Sequence, residues 1–340
     1  MKIGILTGGG DCPGLNPVIR AAVRSAIQEG HEVIGIHYGW KGMIENITSP
    51  LKMSDISGIL HRGGTILGTS RTNPCKDKEN LDKFKANYKK LGLDCLIAIG
   101  GEDTLGAACK LSKEGFKIIG VPKTIDNDLS GTDFTFGFDT AVNIAMEAID
   151  RLHTTAESHQ RIMVVEVMGR HAGWIALHSG IAGGADLILI PEVPIKMQDV
   201  VDVIRKRNAR GKNFSIIVVA EGAKFHGTEV TVEKGLDEFG HIRLGGIGEL
   251  LAKKIEKETG YETRVVVLGH IQRGGSASAF DRMLGTRFGA KAVELIKKGD
   301  FGKMVALRGN EIIAIPIEEA TGKLKTVDAP FYDMAKQFFG

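Results

Sequence analysis

An α/β chain of two domains, each a mostly parallel sheet flanked by helices, is the fold the sequence predicts, and three observations carry it. Short, nearly continuous β-branched runs alternate with helix-length amphipathic segments, the pattern of strands buried on both faces. Glycines and charged residues gather repeatedly just after those runs. A length of 340 residues suffices for two domains with large cores.

Strands are predicted over 2–7 (KIGILT), 32–37, 94–99, 117–121, 161–167, 186–190, 214–220 and 264–268, and helices over 16–29, 103–115, 139–158, 197–210, 247–259 and 279–298. Right-handed crossovers should connect them, and in such sheets ligands sit at the carboxyl ends of the strands. There lie GGGDCPG at 8–14, GGEDT at 100–104, PKTIDND at 122–128, MGRHAG at 168–173, Glu221-Gly222 and GHIQRGG at 269–275. Folding needs alone do not explain that concentration. No repeat and no disordered linker divides the chain, and the boundary is expected near Gly137.

Composition narrows the class. Apolar content of 43% and charged content of 25% are those of a soluble globular protein. The 45 glycines are about twice the usual share, which suggests loops where backbone must approach something closely. A net charge of +3 is too small to argue for nucleic acid or membrane. The opening residues already read as a strand and no apolar stretch is long enough to span a bilayer, so neither leader nor anchor is expected. Cys12, Cys75, Cys95 and Cys109 lack zinc or redox spacing and read as reduced cytoplasmic thiols.

Gly8-Gly9-Gly10-Asp11 stands between a strand and a helix, where glycine lets backbone N–H groups point at a phosphate. A plain tight turn fits equally well, and the spacing matches neither a Walker A loop nor GxGxxG. Gly100-Gly101-Glu102-Asp103-Thr104 repeats the design with two acids. An acid beside a phosphate is unfavourable unless a cation bridges the two. Glu102 thus reads as a carboxylate associated with Mg²⁺, or, more plainly, as a helix-start acid. In Thr124-Ile125-Asp126-Asn127-Asp128, Asp126 suits a base that accepts a proton from an attacking hydroxyl, with Asp128 tuning it. An Asx-rich turn is the bland alternative. Arg71, Arg161, Arg170, Arg264 and Arg273 border strands or glycine turns, as phosphate clamps do. His270 could donate to a phosphate oxygen or be a satisfied core histidine.

Read in order, LTGGGDCPGLN, RGGTILGTSR, IGGEDT, PKTIDND, GFDTA, EAIDRL, ESHQR, VVEVMGRHAGW, PEV, ETRVVVLGHIQRGG and Asp281-Arg282 resemble the phosphofructokinase family over nearly the whole chain. The resemblance implies the phosphofructokinase fold. A phosphoryl-donor domain would span 1–137 plus about 275–325, and a fructose 6-phosphate domain about 138–274 plus the C-terminal tail. It implies that Gly10 and Arg71 hold the donor and that Glu102 helps bind Mg²⁺. Asp126 would accept the proton of the sugar 1-hydroxyl, with Thr124 beside it. Met168, Gly169 and Arg170 would shape the sugar site, Arg170 also steadying the transferring group, and Glu221 would bind sugar hydroxyls. His270 and Arg273 would grip the 6-phosphate, joined by Arg161 and Arg264 from a neighbouring subunit of a homo-oligomer, a dimer or tetramer.

Many ATP-using members have Asp-Gly where this chain has Glu102-Asp103, and Gly where it has Lys123. Asp103 with Lys123 resembles the pyrophosphate-dependent branch. The Asp103 carboxylate would fill the space of a nucleotide α-phosphate. A like charge about 4 Å away costs about 4 kcal/mol at an effective dielectric near 20. Lys123 would supply positive charge to pyrophosphate in the transition state. Arg20 and Arg24 match the family's effector pocket, but His153 replaces a further arginine, and 224–246 resembles no short bacterial member. The reaction implied is transfer from pyrophosphate to fructose 6-phosphate, giving fructose 1,6-bisphosphate and phosphate, in either direction of glycolysis. Its rivals are an ATP-dependent phosphofructokinase, an NAD or lipid kinase, and a non-catalytic sugar-phosphate sensor.

Overall fold

The computed structural model describes residues 1–227 and 244–340. Most of the 224–246 stretch therefore lies outside the described residues. In chain order the first elements are β1 (Lys2–Thr7), α1 (Leu15–Gln28), β2 (Glu32–Ile36), α2 (Trp40–Glu45), β3 (Thr48–Pro50), α3 (Lys78–Leu91), β4 (Cys95–Gly100), α4 (Glu102–Lys113), β5 (Ile118–Thr124) and β6 (Phe136–Gly137). There follow α5 (Phe138–His159), β7 (Ile162–Val167), α6 (Trp174–Ala182), β8 (Leu187–Leu189), α7 (Met197–Ala209), β9 (Ser215–Ala220), α8 (Ile247–Thr259) and β10 (Thr263–Val267). A 3-10 turn at Gly269–Arg273, then α9 (Ala279–Lys298), β11 (Lys303–Arg308), β12 (Glu311–Pro316), α10 (Ile317–Thr321) and α11 (Ala329–Lys336), complete the described elements.

The chain divides into two units, the first comprising 1–125, 129–140 and 273–324, the second 126–128, 141–272 and 325–340. The first holds the sheet β12-β11-β5-β4-β1-β2-β3, with β6 beside β5. The central strands β4 and β5 are buried at every residue, as strands covered on both faces must be. One face is closed by α1 and α9, whose backbones meet at glycines: a Cβ on Gly289 would come within 2.5 Å of Val18 O. The second unit holds β10-β7-β9-β8, parallel throughout, with α8 packed on β7 and β10.

The fold expected from the strand–helix alternation is the one observed, and it is mixed α/β. The sequence reading places no strands at 303–316, where β11 and β12 form an antiparallel hairpin added to the parallel sheet. Its turn is marked by Gly309-Asn310, Gly309 having a φ of 57°. The predicted strand 117–121 is also too short. β5 continues through Pro122-Lys123-Thr124 because β6 pairs with Lys123 and Thr124 and completes their ladder.

Candidate active site

In the first unit β1 and β4 lie side by side with Thr7 opposite Ile99, and a glycine turn follows each. The Gly8 amide donates to Ile99 O at 2.9 Å, which locks the two turns together. Gly8 and Gly100 are small for packing: a Cβ on them would stand 2.5 and 2.3 Å from the Thr104 side chain. Gly9 and Gly10 answer to charge instead. A Cβ on Gly9, whose φ is 78°, would lie 3.3 Å from Lys123 Nζ, and one on Gly10 2.7 Å from Arg273 Nη1. Gly101 has the same lysine nitrogen 3.9 Å from its missing Cβ. Lys123, only 3% exposed on β5, thus delivers its ammonium between the two glycine turns.

Arg273, expected with His270 at the sugar phosphate, holds its guanidinium against the first glycine turn, with Nη1 donating to Asp11 O at 3.1 Å. The Gly9 amide donates to Ser70 O at 3.0 Å, and this bond brings the segment carrying exposed Arg71 alongside the loop. Burial pushes the Cys12 thiol up to about 12 even with Lys123 and Arg273 nearby, so it fills space without reacting. Glu102, exposed, and Asp103, half-buried, form the first turn of α4, whose start at Gly101 has no side-chain cap. Acids stabilise that position, and Glu102 stays accessible to a cation. Among the described residues no group of three or more His, Cys, Asp or Glu could cage a metal ion. Magnesium is usually held by one or two carboxylates together with substrate phosphates, and an accessible Glu102 beside the glycine turns fits that mode. Thr124 ends β5 buried, its carbonyl accepting from Thr135 Oγ1 at 2.8 Å.

In the second unit Asp126, Asn127 and Asp128 are all buried. Asn127 takes a left-handed φ of 52°, and the turn is pinned by Lys325, whose amide donates to Asp128 O at 2.8 Å and whose Nζ donates to Asn127 Oδ1 at 3.1 Å. The MGRHAG loop after β7 is equally constrained, with φ of 143° at Gly169 and 52° at Arg170. Glu221 Oε1 accepts the Arg170 amide at 3.1 Å. Burial raises the Glu221 carboxyl above its ordinary range, and nearby Asp126 adds to that rise; the amides of Arg170 and Gly169 offset part of it.

Met168, Glu221 and His270 all line one cavity of about 460 Å³, together with Glu166 on β7 and the start of α8. That volume is in the range of small-ligand sites. Arg161 and Arg264 share one carboxylate, Glu262: Arg161 Nε lies 2.8 Å from Oε2, and Arg264 Nη2 pairs with Oε1. Sequence reasoning missed Lys325, Glu262 and Glu166. For Glu166 a signal existed, since it is the one charge within the apolar run VVEV.

A buried cation between glycine turns in one unit, and a carboxylate-lined cavity in the other, define an α/β protein that handles phosphorylated compounds. The family model described as phosphofructokinase matches residues 2–296. The chain belongs to the phosphofructokinase family. It is 60% identical over 343 residues to pyrophosphate–fructose 6-phosphate 1-phosphotransferase of Streptomyces coelicolor, covering all of both chains. It is 52% identical to ATP-dependent 6-phosphofructokinase 3 of the same organism, covering 99% of each. Pichia pastoris phosphofructokinase in the T-state matches with a TM-score of 0.85 at 33% identity; the match covers this whole chain and 38% of that one. Among the described residues no helix is long and apolar enough to cross a membrane, and all four cysteines are free.

Proposed function

We propose that the chain transfers a phosphoryl group from pyrophosphate to the 1-hydroxyl of fructose 6-phosphate, reversibly. The observation that carries the donor assignment is the buried Lys123 ammonium between Gly9 and Gly101. Such a charge suits a compact polyanion whose phosphates fit wholly between the two turns. The relative with the pyrophosphate-dependent name stands at 60% identity, against 52% for the ATP-dependent one.

On this reading the first unit carries most of the donor-binding residues and the second most of those for the sugar phosphate. Asp126 accepts the proton as the 1-oxygen bonds to the terminal phosphorus and the bond to the departing phosphate breaks. Lys123, Arg71 and Arg170 spread the developing negative charge. Gly10 admits the donor close to backbone, and Asp103 occupies space a nucleotide would need. Thr124, Met168, Gly169 and Glu221 orient the sugar, while His270 and Arg273 meet its phosphate. Glu102 would hold Mg²⁺, which when bound neutralises phosphate charge. Arg161 and Arg264 would complete a neighbouring copy's site in a cytoplasmic homo-oligomer.

ATP as donor is the second reading, favoured by the 52% identical relative. Purified protein given fructose 6-phosphate and Mg²⁺ with pyrophosphate, ATP or ADP separates the two. Fructose 1,6-bisphosphate should form with pyrophosphate, and Asp103→Gly should relax the exclusion of ATP. Turnover with ATP alone in the unaltered chain would sink the donor assignment.

A further inference from the structure

The acceptor cavity contains a buried acid that the proposed reaction does not use. Glu166 is 3% exposed, on a strand otherwise apolar, and a carboxylate in such a place costs free energy unless its oxygens are satisfied. They are satisfied by backbone. Gly248 N donates to Oε2 at 2.8 Å, and Gly246 N reaches Oε1 and Oε2 at 3.1 and 3.2 Å. Both amides belong to the start of α8, where the helix dipole also favours an anion. The main chain of the same residue works on the opposite wall: Leu268 N donates to Glu166 O at 3.0 Å, one residue before Gly269-His270.

Glu166 therefore joins three walls of one cavity: the β7 end leading to Met168, the first turn of α8, and the β10 end leading to His270. The fit is tight. Gly248 is closely fitted: a Cβ there would stand 3.0 Å from Glu166 Oε2 and 3.2 Å from Val265, so the clamp would have to yield by a few tenths of an ångström. Glu166 is buried with both oxygens on amides, whereas Glu221 is half-buried, so of the two Glu221 is the more open to a ligand.

We propose that Glu166 is a positioning residue for the acceptor: by clamping the start of α8 to β7 it sets the cavity across which Glu221 and His270 face the sugar phosphate. The inference rests on the reading of that cavity as the fructose 6-phosphate site. Glu166→Gln keeps the shape but replaces one acceptor oxygen by a donor that faces an amide. Gly248→Ala attacks the same clamp from the helix side.

The test is calorimetric titration of fructose 6-phosphate into wild type, Glu166→Gln, Gly248→Ala and the double variant, with the KM for pyrophosphate measured alongside. Each single variant should bind the sugar phosphate about tenfold more weakly, with the KM for pyrophosphate unmoved. The double variant should lose little more than either single one, because both break the same clamp. Unchanged sugar affinity, equal losses for both substrates, or additive losses would overturn the role of Glu166 while leaving the wild-type reading intact. If Glu166→Gln fails to fold, the Gly248→Ala arm decides alone. Wild type that binds no fructose 6-phosphate overturns both the reading and the inference.

Discussion

The carbonyl of Arg170 lies so close to Gly222 that a Cβ on the glycine would stand 1.8 Å from its oxygen. Next to it, Glu221 holds the Arg170 amide at 3.1 Å. The pair Glu221-Gly222 thus grips Arg170 at both its amide and its carbonyl, and this fixes it in its left-handed conformation. Gly222→Ala must push the 169–171 loop away. Overpacking of this kind costs about 1–3 kcal/mol, and the Glu221 bond goes with it. Lower resistance to urea is expected, together with a raised KM for fructose 6-phosphate at nearly unchanged KM for pyrophosphate. Normal values of both would show that the loop is not held from Gly222.

Lys123→Met addresses the donor side. Methionine matches the lysine stem in length, so the buried site stays filled while the ammonium between Gly9 and Gly101 is lost. Removing one preorganised group that stabilises transition-state charge lowers kcat by about 100- to 1000-fold. Steady-state rates with pyrophosphate measure it, and a kcat within tenfold of wild type would take Lys123 out of the reaction.

Glu221 provides a pH signature. Its carboxyl sits above the ordinary range, chiefly through burial and then through Asp126. On the proposed function, Glu221 gains a proton as pH falls through that raised value and would no longer accept hydrogen bonds from sugar hydroxyls with full charge. The KM for fructose 6-phosphate should climb on the acid side at a pH above that of an ordinary glutamate. Glu221→Gln should flatten that limb. A limb that persists in the glutamine variant would assign it to another group.

How much of this was legible beforehand depends on the range of the interaction. The glycine turns, the PKTIDND segment and the strand–helix alternation are local, and each announces itself within about a dozen residues. Lys325 does not: it pins Asn127 from 198 positions away and sits in an unremarkable C-terminal segment. Glu262, which gathers Arg161 and Arg264, reads in sequence as an ordinary surface acid. The roles of the glycines were only half readable, since a sequence cannot tell Gly8, made small by Thr104, from Gly10, made small by Arg273. The bond from the Arg273 guanidinium to Asp11 O, 262 positions away, likewise follows from tertiary structure alone.

Asp281 permits a stability prediction with a definite sign. It is fully buried near the start of α9, and its Oδ2 accepts from Thr140 N at 2.8 Å and Thr140 Oγ1 at 2.5 Å. Ser278 returns the favour, its amide donating to Thr140 Oγ1 at 2.9 Å and its hydroxyl accepting from Asp281 N at 3.2 Å, so the starts of α5 and α9 cap each other. Burial outweighs these bonds and pushes the Asp281 carboxyl up to about 6 from 3.8. Between those values the folded chain keeps a proton that the unfolded chain has released. Stability from this group is therefore fully present below about pH 4 and is lost as pH rises through about 6, a change of about 3 kcal/mol. Asp281→Asn retains an oxygen for Thr140 but cannot ionise, so it escapes that loss. Urea unfolding at pH 4.5 and pH 7 should show the asparagine variant gaining on wild type as pH rises. Parallel pH dependences of the two proteins would mean that Asp281 does not titrate in this range.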